Sequence, residues 1–201
     1  MKKFVEQIYR NNKNYRGVVF LDRDGTINED VNYLRSKYQI EILPTVVRGL
    51  RLLNKKHIAV VVVTNQPVVA RGLITIEDLK KLNDTLIEKL KKEGAYIDAI
   101  YSCPHHPEPD HPEISFQAMK YRIKCDCRKP GLAMYKKVLS VYDSKKVLGV
   151  IGDQTRDVLA GKKLGTLGVI VRTGYKGEDG LYDVNADFVC DNFLDAVGRL
   201  L

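Results

Sequence analysis

The sequence has no hydrophobic run long enough to cross a membrane, no internal repeat and no low-complexity tract. A transmembrane helix needs roughly 20 apolar residues, and no run here approaches that length. Residues 1–10 also lack the apolar core of a secretion signal, so we expect a cytoplasmic protein. With 201 residues, 44% of them hydrophobic and 29% charged, the chain is long enough to bury one full core. We expect one domain over residues 16–201, preceded by a polar segment at residues 1–15.

Basic residues interleaved with aromatic residues, the pattern of single-stranded nucleic-acid binding, are scarce despite a net charge of +8. The lysines instead occur in scattered pairs, such as Lys80-Lys81 and Lys162-Lys163, along predicted helices. Such pairs are typical of solvated helix faces, so we expect neither a nucleic-acid nor a membrane partner. The sequence also lacks an exposed heptad and a long apolar edge. We therefore expect a monomer that acts on a small molecule.

Short β-branched runs alternate with helical patterns along the chain. The predicted strands are Gly17–Leu21, Ile58–Val63, Ile97–Tyr101, Val147–Ile151, Val169–Val171 and Phe188–Cys190. The predicted helices are Thr45–Lys56, Thr75–Glu93, Leu132–Tyr142, Arg156–Leu164 and Asn192–Leu201, the second with a leucine stripe and a Thr75/Asp78 capping box. This alternation predicts an α/β fold with a doubly wound, mostly parallel sheet and right-handed crossovers. No connection is long enough for a large cap domain.

The segment from Ser102 to Pro130 lacks periodicity and is rich in Pro, His and Cys. Closely spaced cysteines in a cytosolic protein favour metal binding over disulfides. Three thiolates and one imidazole make a closed tetrahedral site for structural Zn²⁺, and the ligands we select are Cys103, His105, Cys125 and Cys127. His106 is the rival imidazole, and His111 is interpreted as a solvated loop residue. The alternative, reduced cysteines in the core, suits only Cys190, which lies in a predicted strand.

Two aspartates, Asp22 and Asp24, stand at the carboxyl end of the first predicted strand. Ligands of open α/β sheets bind at such strand ends. Because two crowded carboxylates repel each other, the pair needs a cation or a proton between them. A hard divalent ion such as Mg²⁺ is the usual partner, and it attracts phosphate in turn. A simple turn rich in Asp and Gly is the alternative interpretation of this motif alone.

Three more polar segments lie near predicted strand ends or before a predicted helix. They contain a hydroxyl, two amides, two fixed cations and two further acids, in Thr64-Asn65-Gln66, Arg128-Lys129 and Gly152-Asp153 with Asp157. At one edge of a sheet, the acids suit a cation, whereas the hydroxyl and the lysine suit phosphate oxygens. These are the components of phosphoryl transfer, in which positioning and charge neutralisation do most of the work.

These motifs, in this order, resemble those of the haloacid dehalogenase-like phosphatases over nearly the whole chain. The matching residues are Asp22-x-Asp24-Gly25-Thr26-Ile27, Thr64-Asn65, Lys129 and Gly152-Asp153-x₃-Asp157. The closer resemblance is to the D-glycero-D-manno-heptose 1,7-bisphosphate phosphatases, carried by Asp22–Asn28, Thr64–Gln66 with Ala70-Arg71-Gly72, Cys103–Pro107 and Cys125–Pro130. Histidinol-phosphate phosphatases share most of this pattern and are the alternative within the same class.

The resemblance implies roles for the strand-end residues. Asp22 is the expected nucleophile, which forms an aspartyl-phosphate. Asp24 is the expected acid, which protonates the leaving oxygen, and then the base that deprotonates water. Mg²⁺ is expected on the Asp22 carboxylate, the Asp24 backbone carbonyl and Asp153. Thr64 and Lys129 are expected to hold the transferring phosphoryl oxygens.

Further residues are expected to orient the catalytic groups or to contact the substrate. Asp157 is expected to orient Lys129 or a metal-bound water. The expected substrate contacts on the sugar side are Asp30, Val31, Asn32, Tyr33, Asn65, Gln66, Pro67 and Arg128, with Arg128 on a second phosphate. Arg71 is equally consistent with a second phosphate contact and with a surface position. Two segments depart from the family pattern, namely Pro67-Val68-Val69 and the long zinc loop at 102–130. Both belong to the part of the site that is expected to select the substrate.

Two functions from other classes compete with a sugar phosphatase. A receiver-type phosphoacceptor domain also uses acids, a Thr and a Lys on a doubly wound sheet. Its acceptor Asp ends a middle strand, however, and this chain has Thr64 after Val63. A zinc-dependent nucleic-acid binder fits the charge and the cysteines, but it leaves the acidic motifs without a purpose. The sequence therefore favours an Mg-dependent phosphatase, with heptose 1,7-bisphosphate as the expected substrate.

Overall fold

Seven strands form one sheet in the computed structural model, which describes residues 4–10, 14–107, 116–142 and 146–201. In chain order they are β1 (Val5–Ile8), β2 (Gly17–Leu21), β3 (Ile58–Asn65), β4 (Ala99–Cys103), β5 (Lys146–Gly152), β6 (Leu167–Val171) and β7 (Phe188–Cys190). Their order across the sheet is β1-β4-β3-β2-β5-β6-β7. Among these seven described strands, only β1 and β4 pair antiparallel. The predicted doubly wound, mostly parallel sheet is confirmed.

Helices cover both faces of this sheet. They are α1 (Val46–Lys55), α2 (Ile76–Lys92), α3 (Phe116–Met119), α4 (Ala133–Val141), α5 (Thr155–Lys163) and α6 (Phe193–Leu200), with a 3-10 turn at Lys37–Gln39. Because side chains alternate along a strand, Val19 and Leu21 pack with α1, α2 and α6, whereas Val18 and Phe20 pack with α4 and α5. None of the helices described is long and apolar enough to cross a membrane.

The helix α2 shows how closely local sequence determines local structure here. The four stripe leucines, Leu79, Leu82, Leu86 and Leu90, are all buried. The capping box is present, because the Thr75 hydroxyl accepts from the Asp78 amide and the Asp78 carboxylate accepts from the Thr75 amide, each at 3.1 Å. Gly94 follows the helix with φ +65°, the left-handed conformation that ends helices.

The N-terminal segment differs from the prediction, because part of it belongs to the sheet. Residues Val5–Ile8 form the edge strand β1, paired from Val5 with Ser102 to Ile8 with Ala99. Its sequence, Val-Glu-Gln-Ile, carries no apolar run, since an edge strand is only half covered. The division of the chain at residue 15 stays a prediction. Within the zinc loop, His111 lies outside the described residues.

The strand order creates a crevice at the carboxyl end of the central strand. The strand β2 pairs with β3 on one side and with β5 on the other, all in parallel. From β2 the chain builds the sheet first towards β4 and later towards β7, so the winding direction reverses at β2. Ligands of doubly wound sheets bind at this switch point. The predicted site residues lie at the ends of β2 and β3 and in the segments that follow β4 and β5.

Candidate active site

Asp22, Lys129 and Asp157 form a buried ion-pair triad at the end of β2. The Lys129 ammonium lies 2.9 Å from Asp22 Oδ1 and 2.6 Å from Asp157 Oδ1. Burial opposes the charge on Lys129, but the carboxylates of Asp157 and Asp22 outweigh it and raise the lysine pKa. Lys129 therefore stays protonated as a fixed cation beside Asp22. Of the two roles expected for Asp157, the structure shows the contact with Lys129.

An acidic cluster next to this triad has the donor set of a hard cation. One carboxylate oxygen each from Asp22, Asp153 and Asp157 lies within 4.8 Å of the others. Asp153 Oδ1 and Asp157 Oδ2 are buried and have no hydrogen-bond partner among the described residues. Burial, followed by the charges of Asp22 and Asp157, raises the pKa of Asp153 to about 8. Oxygen ligands without partners and an excess of negative charge fit a divalent ion such as Mg²⁺.

The raised pKa of Asp153 predicts how the magnesium-free protein responds to pH. The folded protein holds a proton on Asp153 that the unfolded chain releases near pH 3.9, so the free energy of unfolding falls as pH rises from about 4 to 8. Asp153→Asn removes this penalty, and we expect it to stabilise the magnesium-free protein at pH 8 by up to about 5 kcal/mol. Thermal melts of protein dialysed free of magnesium, at pH 6 and pH 8, measure this.

The matched control is Asp157→Asn in the same cluster. Burial raises the pKa of Asp157 only to about 6, and the substitution leaves Lys129 with one carboxylate instead of two, so we expect any gain in melting temperature at pH 8 to stay below that of Asp153→Asn. A destabilised Asp153→Asn protein at pH 8 would contradict the proposed penalty.

Two motif glycines are required because the acids pack against their α-carbons. Gly25 has φ +73°, and a Cβ there would lie 2.4 Å from Asp153 Oδ2. A Cβ on Gly152 would lie 2.3 Å from the Asp157 carboxyl carbon. The Tyr175 amide, on the loop after β6, donates to Asp153 Oδ2 at 2.8 Å. These contacts explain why both acidic motifs contain a glycine.

Asp24 is held by four N–H donors. Arg23 donates from Nε to Oδ1 at 3.1 Å and from NH2 to Oδ2 at 2.8 Å. Asn28 donates to Oδ1 at 2.9 Å, and Gln66 donates to Oδ2 at 2.8 Å. Burial raises the pKa of Asp24, but the Arg23 charge and these hydrogen bonds outweigh it and lower the pKa overall. Asp24 therefore rests ionised, with each oxygen bonded twice.

The residues that end β3 arrange the groups around them. Gln66 Nε2 also donates to the Thr64 hydroxyl oxygen at 3.0 Å, so it links Thr64 to Asp24. Asn65 Oδ1 accepts from the Lys129 amide at 2.8 Å, and Asn65 Nδ2 donates to the Lys129 carbonyl at 3.2 Å. Asn65 thus ties the backbone of Lys129 to the end of β3. Sequence reasoning assigned both amides to the substrate and did not anticipate these contacts.

A cleft of about 270 Å³ opens above Asp22 and Asp24. Six of the predicted substrate residues line it: Asp30, Asn32, Tyr33, Asn65, Pro67 and Arg128. Val31 packs against the core instead, and Gln66 is not in the lining. Arg71, for which the sequence left a phosphate contact and a surface position open, also lines the cleft, and the structure adds His106, Gln154, Arg156 and Tyr175. Of these, Arg156 had a sequence signal, since it lies between Asp153 and Asp157.

One side of the cleft is basic. Burial, and then the nearby charge of Arg156, lowers the pKa of Arg128. Arg156 Nε is buried and has no hydrogen-bond partner among the described residues. Arg71 lies over the Tyr33 ring at 4.9 Å from its centroid. Two guanidinium groups that repel each other, with one nitrogen unbonded, suit an anion between them.

The cysteine–histidine cluster assembles beside the cleft from the four predicted ligands. Cys127 Sγ lies 3.3 Å from Cys103 Sγ, 3.2 Å from Cys125 Sγ and 3.3 Å from His105 Nδ1. Sulfurs around a tetrahedral zinc ion are roughly 3.8 Å apart, given bonds of about 2.3 Å. A disulfide would bring two sulfurs to about 2.05 Å. The spacing therefore fits four ligands of one metal ion. Among the described residues, His106 is outside this cluster.

A doubly wound fold with a buried acid–lysine cluster and a basic cleft defines a phosphoryl-transfer hydrolase. A family model described as HAD-hydrolase-like matches residues 126–196. The D-glycero-beta-D-manno-heptose-1,7-bisphosphate 7-phosphatase of Haemophilus ducreyi is 33% identical over 89% of this chain and 95% of that protein. A D-glycero-alpha-D-manno-heptose-1,7-bisphosphate 7-phosphatase of Photorhabdus laumondii is 34% identical over 79% of this chain and 84% of its own length.

A solved structure shows the same likeness. The D,D-heptose 1,7-bisphosphate phosphatase from B. bronchiseptica, complexed with magnesium and phosphate, superposes with a TM-score of 0.75 at 29% identity. The superposition covers 92% of this chain and 97% of that one. The chain belongs to the haloacid dehalogenase-like hydrolases, in the family of the heptose 1,7-bisphosphate phosphatases. It is a phosphoric monoester hydrolase. The predicted monomer, cytoplasmic location and lack of nucleic-acid or membrane partners stay predictions.

Proposed function

We propose that this protein hydrolyses D-glycero-D-manno-heptose 1,7-bisphosphate to the 1-phosphate, through an aspartyl-phosphate on Asp22. The observation that carries the proposal is the contact between Asp22 and the buried Lys129 ammonium, beside carboxylate oxygens that have no partner. A carboxylate so placed, at the floor of a cleft with a basic side, has the surroundings of a phosphoryl acceptor. The relatives named above act on this class of substrate.

Asp22 is arranged to attack with one of its two oxygens. The Arg23 amide donates to Oδ1 at 2.7 Å, and Lys129 contacts the same oxygen. Oδ2 attacks phosphorus, the bond from phosphorus to the sugar oxygen breaks, and that oxygen takes a proton from Asp24. Water then attacks phosphorus and passes a proton to Asp24, which restores Asp22 and releases phosphate. Lys129 stays charged through both steps, whereas Asp22 loses its carboxylate charge when Oδ2 bonds to phosphorus and regains it when water breaks that bond.

Asp24 changes protonation state between these steps. It rests ionised under four donors, which is the form that accepts a proton from water. An approaching phosphate is a like charge, and a like charge nearby favours protonation of a carboxylate. Asp24 takes up its proton in that state and donates it to the leaving oxygen.

Thr64 and Lys129 bind the phosphoryl oxygens in this proposal. The Thr64 oxygen accepts its hydrogen bond from Gln66, so the hydroxyl hydrogen is available for a phosphate oxygen. Lys129 is fixed at its backbone by Asn65 and at its ammonium by Asp157. Donors held in place before the reaction stabilise the transition state without reorganisation.

Two metal ions complete the proposal. The Asp22 and Asp153 carboxylates and the Asp24 carbonyl would hold Mg²⁺, which would screen the repulsion between Asp22 and an anionic phosphate. Zn²⁺ on Cys103, His105, Cys125 and Cys127 is structural, because four protein ligands leave no open position. This second cluster positions the cleft, since Arg128 directly follows Cys127 and donates to the His105 carbonyl at 3.2 Å.

The basic side of the cleft supports a substrate with a second phosphate. Arg128 and Arg156 are the proposed ligands of the phosphate that is not hydrolysed. The segment Pro67-Val68-Val69, which departs from the family pattern, changes the lining of the cleft less than the sequence indicates. Val68 and Val69 are buried against Leu79, so they anchor the loop, and only Pro67 lines the cleft.

Phosphate release with Mg²⁺ tests the proposal, using both heptose 1,7-bisphosphate anomers and histidinol phosphate side by side. We expect kcat/KM for one heptose anomer to exceed that for histidinol phosphate by about 100-fold, or about 2.7 kcal/mol of transition-state binding. A preference for histidinol phosphate would reassign the substrate and keep the chemistry. If the protein released phosphate from none of the three substrates, the proposed substrate class would be wrong.

Arg156→Gln tests the second-phosphate contact. Because a charged hydrogen bond to the distal phosphate is lost, we expect KM for the bisphosphate to rise roughly 10-fold. The KM of a heptose 7-phosphate, which lacks the distal group, should stay unchanged. Arg172→Gln is the matched control, since Arg172 pairs with Asp191 and does not line the cleft. Equal losses on both substrates would remove Arg156 from this role.

A further inference from the structure

Asn83 is a buried amide on the apolar face of α2. Its side chain is 0% exposed, and the buried leucines Leu79 and Leu86 lie about one turn away on either side. An amide at such a position is unfavourable unless its polar atoms are bonded, and a leucine would continue the stripe. The residue therefore has a purpose other than packing.

The hydrogen bonds of Asn83 connect the N-terminal edge strand to the active site. Asn83 Oδ1 accepts from Arg23 NH1 at 2.9 Å, and Asn83 Nδ2 donates to Gln7 Oε1 at 2.9 Å. Gln7 Nε2 donates in turn to Asp84 Oδ1 at 2.9 Å. These contacts orient both amides, so that Asn83 presents its oxygen to Arg23.

Arg23 transmits this orientation to Asp24. Its guanidinium is fully buried, and two of its nitrogens hold the two oxygens of Asp24. The third nitrogen donates its hydrogen bond to Asn83 Oδ1. A guanidinium is planar and rigid, so fixing one nitrogen fixes the direction of the other two.

We propose that Asn83 is a positioning residue for Asp24, acting through Arg23; this rests on the proposed acid role of Asp24. Without the Asn83 oxygen, a buried N–H of Arg23 loses its acceptor, and the guanidinium is free to turn towards another one. The two hydrogen bonds to Asp24 shift with it. Misplacement of a catalytic group by about 1 Å reduces turnover about 100-fold.

The test compares Asn83→Leu with wild type on two esters that differ in the need for an acid. The sugar oxygen of heptose 1,7-bisphosphate must be protonated to leave, whereas the oxygen of 4-nitrophenyl phosphate leaves as a stable anion. We expect kcat/KM to fall roughly 10- to 100-fold on the heptose ester and less than about 3-fold on the aryl ester. Equal losses on the two esters, or no loss on either, would overturn the proposal.

Two variants separate positioning from packing. Asn83→Asp keeps an oxygen for Arg23 but cannot donate to Gln7, and we expect it to recover most of the activity on the heptose ester. A loss as large as that of Asn83→Leu would refute the proposal. Tyr9→Phe is the matched control: it removes the 2.8 Å bond from the residue after β1 to Asp84 on α2, without touching Arg23. It should leave both esters unaffected.

Arg23→Lys keeps the test decisive if Asn83→Leu does not fold. A lysine retains the charge, but it cannot hold both oxygens of Asp24 and Asn83 together. We expect the same selective loss on the heptose ester, and an equal loss on both would reject the inference. Failure of the proposed function is distinguishable, because the wild-type protein itself would then release no phosphate from the heptose ester, whatever its activity on the aryl ester.

Discussion

Asp22→Asn is expected to reduce kcat at least about 10⁴-fold, because an amide does not displace the sugar oxygen from phosphorus. The substitution is nearly isosteric, so the cleft keeps its shape. Lys129 retains its ion pair with Asp157 at 2.6 Å, so its charge stays compensated in the variant. Phosphate release with Mg²⁺, together with a thermal melt, measures the two effects separately.

Covalent phosphate on the protein gives a second measurement of the same prediction. Reactions quenched in acid should leave phosphate bound to the wild-type chain and none on Asp22→Asn. Asp30→Asn is the matched control, since Asp30 lines the same cleft but has no contact with Lys129. We expect it to retain the covalent phosphate. Turnover in Asp22→Asn comparable to wild type would show that the nucleophile is misassigned.

Cys125→Ser is expected to lose stoichiometric zinc and to lower the melting temperature by roughly 10 °C. A thiolate is a zinc ligand that a serine hydroxyl does not replace, and zinc binding contributes directly to folding stability. The hydrogen bond between the Cys103 and Cys125 sulfurs lowers the pKa of Cys125 to about 4, so the thiolate form is already favoured. Metal analysis of the purified protein and a thermal melt test both parts.

The matched control for this prediction is Cys190→Ser. Cys190 is buried in β7, away from the cluster, and its thiol takes no part in the cluster contacts. It should change stability without changing zinc content. If the wild-type protein carries no stoichiometric zinc, the zinc assignment is wrong.

Much of the fold follows from short-range patterns in the sequence. Buried parallel strands need apolar runs on both faces, so β2, β3 and β5 are visible as such runs. The cap of α2 is visible because Thr75 and Asp78 are three residues apart. The strand β1 is not visible, because its pairing with β4 joins residues almost 100 positions apart and its own residues are half polar.

The residues of the candidate site likewise fall into those that the sequence reveals and those whose contacts it does not. Asp22, Asp24, Lys129 and Asp153 are recognisable because each stands at a fixed place in a local motif. The cysteines and His105 are recognisable because metal ligands cluster along the chain. Gln66 and Asn65 were assigned to the substrate, yet their amides bind Asp24, Thr64 and the backbone of Lys129. An amide bonds to whichever group lies within reach, and the sequence does not contain that distance.

By itself, the sequence determined the class of fold, the acidic and zinc motifs and the chemistry that these side chains support. Only the tertiary structure decided which charges face each other. Arg156 lines the same cleft as Asp22, and Asn83 reaches Arg23 across 60 residues of chain. Hydrogen bonds and ion pairs depend on distances of a few ångströms. Those distances are established by the packing of the whole sheet with its helices rather than by local sequence.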